Sequence, residues 1–312
     1  MKTFSIIYNP VASNFKQEVI DSLICRFVSR GLTLVDCCKS QYSGHVIPLI
    51  KELDPVSDLI ITVGGDGTVN EAFRAFYEIE QHCAYAHVSV GTTNDMANNY
   101  GLPRHDPIKA VEMLSRGHTM LCDSFTVNDE PVAYVSSFGD ITAVPYLTNN
   151  TLKNVIGHAA YVVSALPVIV DPFREYDVKL THDGIEEQVS CMIGLITNSR
   201  GFGGISLYPD VSLNDAKFEV CVVRGRFSRT IAASLLKDYL ADTVDMNNYE
   251  KIAVAFKTDS LDVEFIGKPP RYEVDNDGNK ASFTYKECNN ILRFRIGKKI
   301  KILLPGPEKA DD

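Results

Sequence analysis

The chain has 312 residues, 45% of them hydrophobic and 23% charged, the composition of a globular protein with room for two domains; collagen, coiled coil and wholesale disorder are excluded. Its 31 basic and 40 acidic residues leave a net charge of −9, the wrong sign for a protein that neutralises nucleic-acid phosphates, so no nucleic-acid partner is expected. The 8 cysteines are scattered, without a C-x-x-C pair, and read as reduced thiols of a cytoplasmic protein.

The N-terminus, Met1 to Pro10, has one lysine and too short an apolar run for a signal peptide. Tyr161 to Val170 is the longest apolar stretch, interrupted by Ser164 and Pro167 and well short of the ~20 residues a spanning helix needs. No transmembrane segment is expected.

Taken in chain order, Phe4 to Tyr8 is a short apolar run. Gln17 to Arg30 carries Val19, Ile20, Leu23, Ile24 and Phe27 at helical spacing, and Leu32 to Cys37 is extended again. His45 to Leu53 predicts a second helix, Leu59 to Val63 a buried strand, Glu71 to Tyr77 a third helix, and His87 to Val90 another strand. Alternating strands and helices predict an α/β fold with a doubly wound parallel sheet and ligands at the carboxyl ends of its strands.

After a helix ending near Arg116-Gly117 the texture changes. Ser124–Val127, Val132–Ser136, Tyr176–Leu180, Ser190–Thr197 and Phe218–Val223 read as strands joined by turns. Lys153–Val170 and Arg229–Tyr239 read as helices, and tail strands follow at Leu261–Phe265, Ala281–Tyr285, Leu292–Ile296 and Ile300–Leu304. The boundary is placed near Cys122, giving an α/β nucleotide-type domain over 1–122 and a β-rich sandwich or barrel-like domain over 123–312, whose last residues are free to pack back on the first. Basic residues at Arg224, Arg226, Arg229, Arg293, Arg295, Lys298, Lys299 and Lys301 read as solvated faces rather than a lipid-binding patch.

The strongest local signal is Val63-Gly64-Gly65-Asp66-Gly67-Thr68-Val69-Asn70-Glu71, between a buried strand and a helix. Three glycines in four positions let backbone approach a ligand, and amides at a helix N-terminus suit phosphate. Val90-Gly91-Thr92-Thr93-Asn94-Asp95 repeats the layout after the next strand, so both loops are expected at one sheet edge. Neither loop fits a Walker A motif or G-x-G-x-x-G, and the chain has no H-E-x-x-H and no G-x-S-x-G.

With Asn9-Pro10 ahead of them, these loops resemble the diacylglycerol kinase catalytic domain family, which includes bacterial lipid kinases and sphingosine kinases. NAD kinases share only the G-G-D-G-T element. The resemblance continues in Lys153 to Tyr161, similar to the family's K-x-x-[LI]-G-x-x-x-Y helix, in Gly203-Gly204 through Pro209 to Val220, and in the close at Leu303-Leu304-Pro305.

It implies an ATP- and Mg²⁺-dependent lipid kinase of phospholipid synthesis that converts diacylglycerol to phosphatidic acid, cytoplasmic and held peripherally at the inner face of the membrane; a homodimer is compatible. Implied nucleotide contacts are Asn9, Pro10, the Val11 to Ser13 turn, Ser40, Gly64, Gly65, Asp66, Gly67, Thr68, Asn70, Glu71, Gly91, Thr92, Asn94 and Asp95. Implied ligands of a structural magnesium are Asp215 and the carbonyls of Ser212 and Lys217, with Ala216 standing where the family has glycine.

The family's general base, the glutamate of an apolar-D-G-E motif, has no counterpart in Arg271 to Asn279. One register aligns Asp277-Gly278 with D-G and puts Asn279 at the base. The other aligns Val274-Asp275-Asn276-Asp277 with V-D-G-E, so that Asp277, with Asp275 beside it, replaces the glutamate; it is preferred because it keeps an apolar residue before the motif and a carboxylate at its end, and because Asn276 would tolerate the positive φ of a glycine. An acidic hairpin turn is the plainer alternative. Two rivals stand beside the lipid kinase: an NAD kinase-like enzyme, and a catalytically impaired member that binds nucleotide or lipid as a sensor.

Overall fold

The computed structural model describes residues 1–139, 174–202, 205–206, 208, 211–224 and 253–306. The two helices expected over Lys153–Val170 and Arg229–Tyr239, and the motif residues Lys153 to Tyr161, Gly203, Gly204 and Pro209, lie outside them. The chain divides into two compact units, Met1–Cys122 with Lys298–Asp312, and Asp123–Gly297.

The first unit runs β1 (Thr3–Tyr8), α1 (Gln17–Ser29), β2 (Thr33–Lys39), α2 (Val46–Leu53), β3 (Leu59–Gly64), α3 (Asp66–Glu78), β4 (Ala84–Ser89), α4 (Asp95–Asn99), α5 (Pro107–Ser115) and β5 (His118–Cys122). The strand order is β2-β1-β3-β4, then the closing strand Ile300–Leu304, then β5. All neighbours are parallel except β5, which runs antiparallel to the closing strand, so the sheet is mixed. Leu59-Ile60-Ile61-Thr62-Val63-Gly64 is buried at every position, as a central strand covered on both faces requires. Helix α1 turns Val19, Ile20, Leu23 and Phe27 inward at helical spacing.

The core of this unit also encloses polar groups. Thr62 Oγ1 lies 2.8 Å from Tyr85 Oη and 2.8 Å from His87 Nδ1, all three residues being buried. Burial pushes the His87 imidazole down to about 3, because imidazolium has no water there. The closing strand is tied in by Lys301, whose amide donates to Gln81 Oε1 at 2.8 Å and whose carbonyl accepts from Gln81 Nε2 at 3.0 Å.

The second unit comprises β6 (Phe125–Val127), β7 (Glu130–Val132), β8 (Val135–Gly139), β9 (Tyr176–His182), β10 (Ile185–Thr197), β11 (Gly201–Phe202), β12 (Ile205–Ser206), β13 (Phe218–Arg224), β14 (Ala253–Thr258), β15 (Ser260–Ile266), β16 (Asp275–Asn276), β17 (Asn279–Lys280) and β18 (Ile291–Ile296). Its large sheet is antiparallel, ordered β17-β16-β8-β10-β9-β15-β18-β6-β7, with β13 and β14 branching from β10. The branch is possible because β10 has 13 residues: its first half pairs with β9 and its second half with β8 and β13. Phe125, Phe138, Phe218, Phe265 and Phe294 fill the core.

Several elements differ from the sequence expectation: β5, β16 and β17 had no counterpart, and the expected strand Val132–Ser136 is split between β7 and β8. Helix α3 starts at Asp66, five residues before Glu71, so the glycine motif itself forms the first turn. Ala281–Tyr285 is not a strand: Ser282 N and Oγ bind Glu130 Oε2, each at 2.7 Å, and Glu287 caps Thr284 N at 2.7 Å, which spends the segment's hydrogen bonds on turns. Strand β14, pairing Phe218↔Thr258 through Val223↔Ala253, has no counterpart in the expectation.

Candidate functional site

Strand order reverses at β1, whose neighbours are β2 and β3. In an open α/β sheet the crevice outside the carboxyl ends at such a point is where ligands bind. A cleft of about 830 Å³ lies there, walled by Asn9 to Ser13 after β1, Lys39 at the end of β2 and Ser40 to Ser43 after it, Gly65, Gly67, Thr68 and Glu71 after β3, and Gly91 and Thr92 after β4. Its volume is within the ~300–1,000 Å³ of small-molecule sites.

The loops brace one another. Asn9 N donates to Val63 O at 2.8 Å, and the Asn9 Oδ1 accepts Val11 N at 3.1 Å, which tightens the first turn. Ser13 Oγ meets Thr92 Oγ1 at 3.1 Å, and Asn14 Nδ2 donates to Gly91 O at 2.6 Å. Ser40 N donates to Tyr8 O at 2.8 Å.

The glycines divide by job. A Cβ on Gly64 would sit 2.2 Å from Thr68 Oγ1, and one on Gly91 would sit 2.7 Å from the Gly65 Cα, so these positions are small because the protein's own turns approach each other. A Cβ on Gly67 would meet nothing within 4 Å, although Gly67 lines the cleft. The fold does not require that glycine.

Five of the residues expected at the nucleotide do not line the cleft: Gly64, Asp66, Asn70, Asn94 and Asp95. Asp66 accepts Asp95 N at 3.2 Å and Met96 N at 3.1 Å, joining the two glycine loops from beneath; burial raises its pKa, against those amides. Asn94, at φ +58, accepts Gly91 N on Oδ1 at 2.8 Å and donates from Nδ2 to Gly91 O and Arg104 O. Asn70 is buried in α3, and Asp95 Oδ1 faces Arg104 Nη2 at 3.8 Å. Glu71 lines the cleft but spends its carboxylate on Gly44 N at 2.7 Å and Val46 N at 3.1 Å, fixing the loop before α2. Lys39, Gln41, Tyr42 and Ser43 line the cleft without having been marked by any motif.

In the second unit Asp215 Oδ1 accepts Lys217 N at 3.1 Å and its Oδ2 lies 3.9 Å from Lys257 Nζ. Ser212 Oγ donates to Asn214 Oδ1 at 3.2 Å. Ala216 adopts φ +58, the left-handed conformation a glycine would take freely, and donates its N–H to Asp123 Oδ2 at 2.6 Å. One carboxylate with the carbonyls of Ser212 and Lys217 is an all-oxygen donor set that fits Mg²⁺ keeping several waters. Among the described residues no group of three or more His, Cys, Asp or Glu side chains is arranged to hold a metal.

The Asp275 and Asp277 expectation needs correcting. Positive φ falls on Asp277 (+54) and Gly278 (+82), not on Asn276, so the backbone reason for preferring the V-D-N-D register fails, while Val274 before it and a carboxylate at its end remain. Asp277-Gly278 is the two-residue turn between β16 and β17, with the positive φ pair of a type I′ hairpin. Asp277 is buried, and its carboxylate accepts Ala133 N at 2.8 Å, Tyr134 N at 2.9 Å and Val135 N at 3.0 Å. Oδ1 takes two of these amides and Oδ2 one, which anchors the hairpin and leaves little of the carboxylate open to a hydroxyl. Asp275 Oδ1 closes the same turn by accepting Gly278 N at 3.0 Å, while Asn279 is exposed.

Comparison with known proteins agrees with this architecture. Residues 3–127 match the diacylglycerol kinase catalytic domain, and residues 135–282 match a YegS C-terminal NAD kinase beta sandwich-like domain. The chain is 28% identical to a diacylglycerol kinase of Bacillus subtilis over 285 residues, 86% of this chain and 92% of that protein. It is 26% identical to the diacylglycerol kinase of Staphylococcus carnosus over 226 residues, 72% and 73% of the two chains. A crystal structure of a diacylglycerol kinase from Bacillus anthracis superposes with a TM-score of 0.74 at 20% identity, covering 98% of this chain and 97% of that one, which shows the shared fold. Both halves are thus matched in order: the chain carries a diacylglycerol kinase catalytic domain over residues 3–127 and a YegS C-terminal NAD kinase beta sandwich-like domain over residues 135–282.

Proposed function

We propose that the chain is a lipid kinase that transfers the γ-phosphoryl group of ATP to a lipid hydroxyl, with diacylglycerol as substrate and phosphatidic acid as product. The observation that carries the reading is the cleft at the switch point of the first unit, one wall of which is the N-terminus of α3 with Gly65, Gly67 and Thr68. Helix amides and hydroxyls suit phosphate oxygens there. The names of the relatives supply the lipid.

Phosphoryl transfer through a loose transition state is accomplished mainly by positioning and electrostatic stabilisation. The reading therefore does not depend on Asp277 as a base. A structural magnesium would be held at Asp215 with the Ser212 and Lys217 carbonyls, in competition with the Lys257 ammonium. The substrate is a membrane component, so contact with the inner face of the membrane is read as peripheral; among the described residues no helix is long and apolar enough to cross a bilayer.

Gly67→Ala tests the reading. Alanine at this early helical position should keep or slightly raise the melting temperature, while its methyl group enters the cleft where phosphate is expected. Calorimetry should show ATP affinity reduced at least ten-fold. Unchanged affinity would remove the phosphates from the α3 terminus, and transfer of label from ATP to NAD but to no lipid would select the NAD kinase-like alternative.

A further inference from the structure

The cleft is chemically two-sided. Toward β3 and β4 it presents Gly65, Gly67, Thr68, Gly91 and Thr92, all small or hydroxylic. Toward β2 and β1, among polar neighbours such as Lys39, Ser40 and Gln41, it presents Tyr42 and Val11, which are 63% and 86% exposed, the large apolar side chains of that side that folding itself leaves in water. Strands in a sheet are ~4.8 Å apart, so the β2 loop stands roughly 10 Å from the β3 loop across β1. A ligand lying across the strand ends would meet anion-suited backbone at one side and an aromatic ring at the other.

Tyr42 is held in place before any ligand arrives. Its ring stacks on His45, with centroids 4.5 Å apart and planes 27° from parallel. His45 Nδ1 accepts Gln41 N at 3.2 Å, which turns the imidazole, and Glu71 grips Gly44 N and Val46 N on either side of it. With His45 against one ring face, the exposure of Tyr42 belongs to the rest of the ring, on the cleft side. We infer that Tyr42, seated on His45, is the stacking platform for the nucleobase of the bound nucleoside triphosphate. This rests on the nucleotide reading of the cleft and goes beyond it by naming how the base is held. Stacking on an aromatic face tolerates any base, so the platform sets affinity and leaves purine selectivity unchanged.

The test separates the base from the phosphates. ATP and inorganic tripolyphosphate are titrated calorimetrically, in magnesium buffer, into the full chain, Tyr42→Ala and Tyr42→Phe, with melting temperatures as the folding control. The expected result is an ATP affinity about ten-fold weaker in Tyr42→Ala and near wild type in Tyr42→Phe, with tripolyphosphate affinity equal in all three. ATP affinity unchanged in Tyr42→Ala overturns the platform and leaves the nucleotide reading standing. Equal loss for ATP and tripolyphosphate overturns it too, since the ring would then act only by shaping the loop. If the wild-type chain binds neither compound, the nucleotide reading and the platform fall together.

Discussion

The glycine-loop edge of the first unit and the acidic hairpin of the second use similar residues to opposite ends. Around the cleft, Asp66 and Glu71 direct their side chains at backbone amides of neighbouring loops and Asn94 at an amide of its own loop, and the result is a braced but open concavity. At the hairpin, Asp277 directs its carboxylate at three amides of residues 133–135, and the result is closure. A carboxylate satisfied by amides is scaffolding in both places; what differs is whether the scaffold leaves exposed groups beside it. The cleft has Gly67, Tyr42 and Thr92, whereas Asp275, Asn276 and Asp277 are all buried.

The largest expected effect would break this comparison at its second half. Asp277→Ala strands three amides where the β7–β8 connection enters β8, at ~1 kcal/mol or more each, so the unfolding free energy should fall by about 3 kcal/mol in urea titration. Asp277→Asn, which keeps one acceptor oxygen, should lose less. In folded Asp277→Asn the lipid-kinase turnover should stay within about ten-fold of wild type. A positioned base would instead cost ~10²- to 10⁴-fold with stability intact, and that outcome would restore Asp277 to catalysis.

The alternation of β1 to β4 with α1 to α3 was legible because buried parallel strands are continuous apolar runs and helices show their period. The glycine loops were legible as well, since few folds place three glycines in four residues between strand and helix. Jobs inside the loops were not. Nothing local distinguishes Gly91, which is small for Gly65, from Gly67, which the packing leaves open; the difference lies in contacts across the sheet edge. Tyr42 belongs to no motif and acquires its place through His45 and Glu71, the latter 29 residues along, as the numbering shows. The hairpin had a readable cue, Asp-Gly between short extended segments, yet alignment with D-G-E outweighed it. Ala281–Tyr285 looked like a strand because Ala281, Phe283 and Tyr285 alternate inward, which a buried turn also achieves.

A smaller effect sharpens the comparison from the first unit. His87 is walled into the core, with its Nδ1 against Thr62. In the unfolded chain a histidine titrates near 6.5, whereas in the folded protein burial lowers it to about 3. The unfolded state therefore takes up a proton below pH 6.5 that the folded state refuses. Stability from neutral His87 is complete above that pH and is lost as pH falls toward 3. Between pH 7.5 and 5 this should remove about 2 kcal/mol. His87→Gln, uncharged throughout, should lack that increment, so the gap between wild type and variant in urea-derived stability should shift by about that much. A constant gap would mean that water reaches the imidazole.

The smallest effect concerns the Asp215 turn. Ala216 sits at φ +58, where an L-residue with a Cβ is disfavoured by roughly 1–2 kcal/mol and glycine is not. Replacing it by glycine also frees the unfolded chain, a loss of roughly 0.5–1 kcal/mol. The difference favours Ala216→Gly by about 0 to 1.5 kcal/mol, or up to about 3 °C in melting temperature. The hydrogen bond to Asp123 comes from the backbone N–H and survives the change, so relief of the strained φ and the entropy of the unfolded chain are the two terms that decide the sign. A lower melting temperature would show that the Ala216 methyl group packs usefully. It would also show that the turn is held in the left-handed conformation by more than the Asp123 carboxylate, in which case this chain has rebuilt the turn around alanine rather than tolerated the loss of glycine.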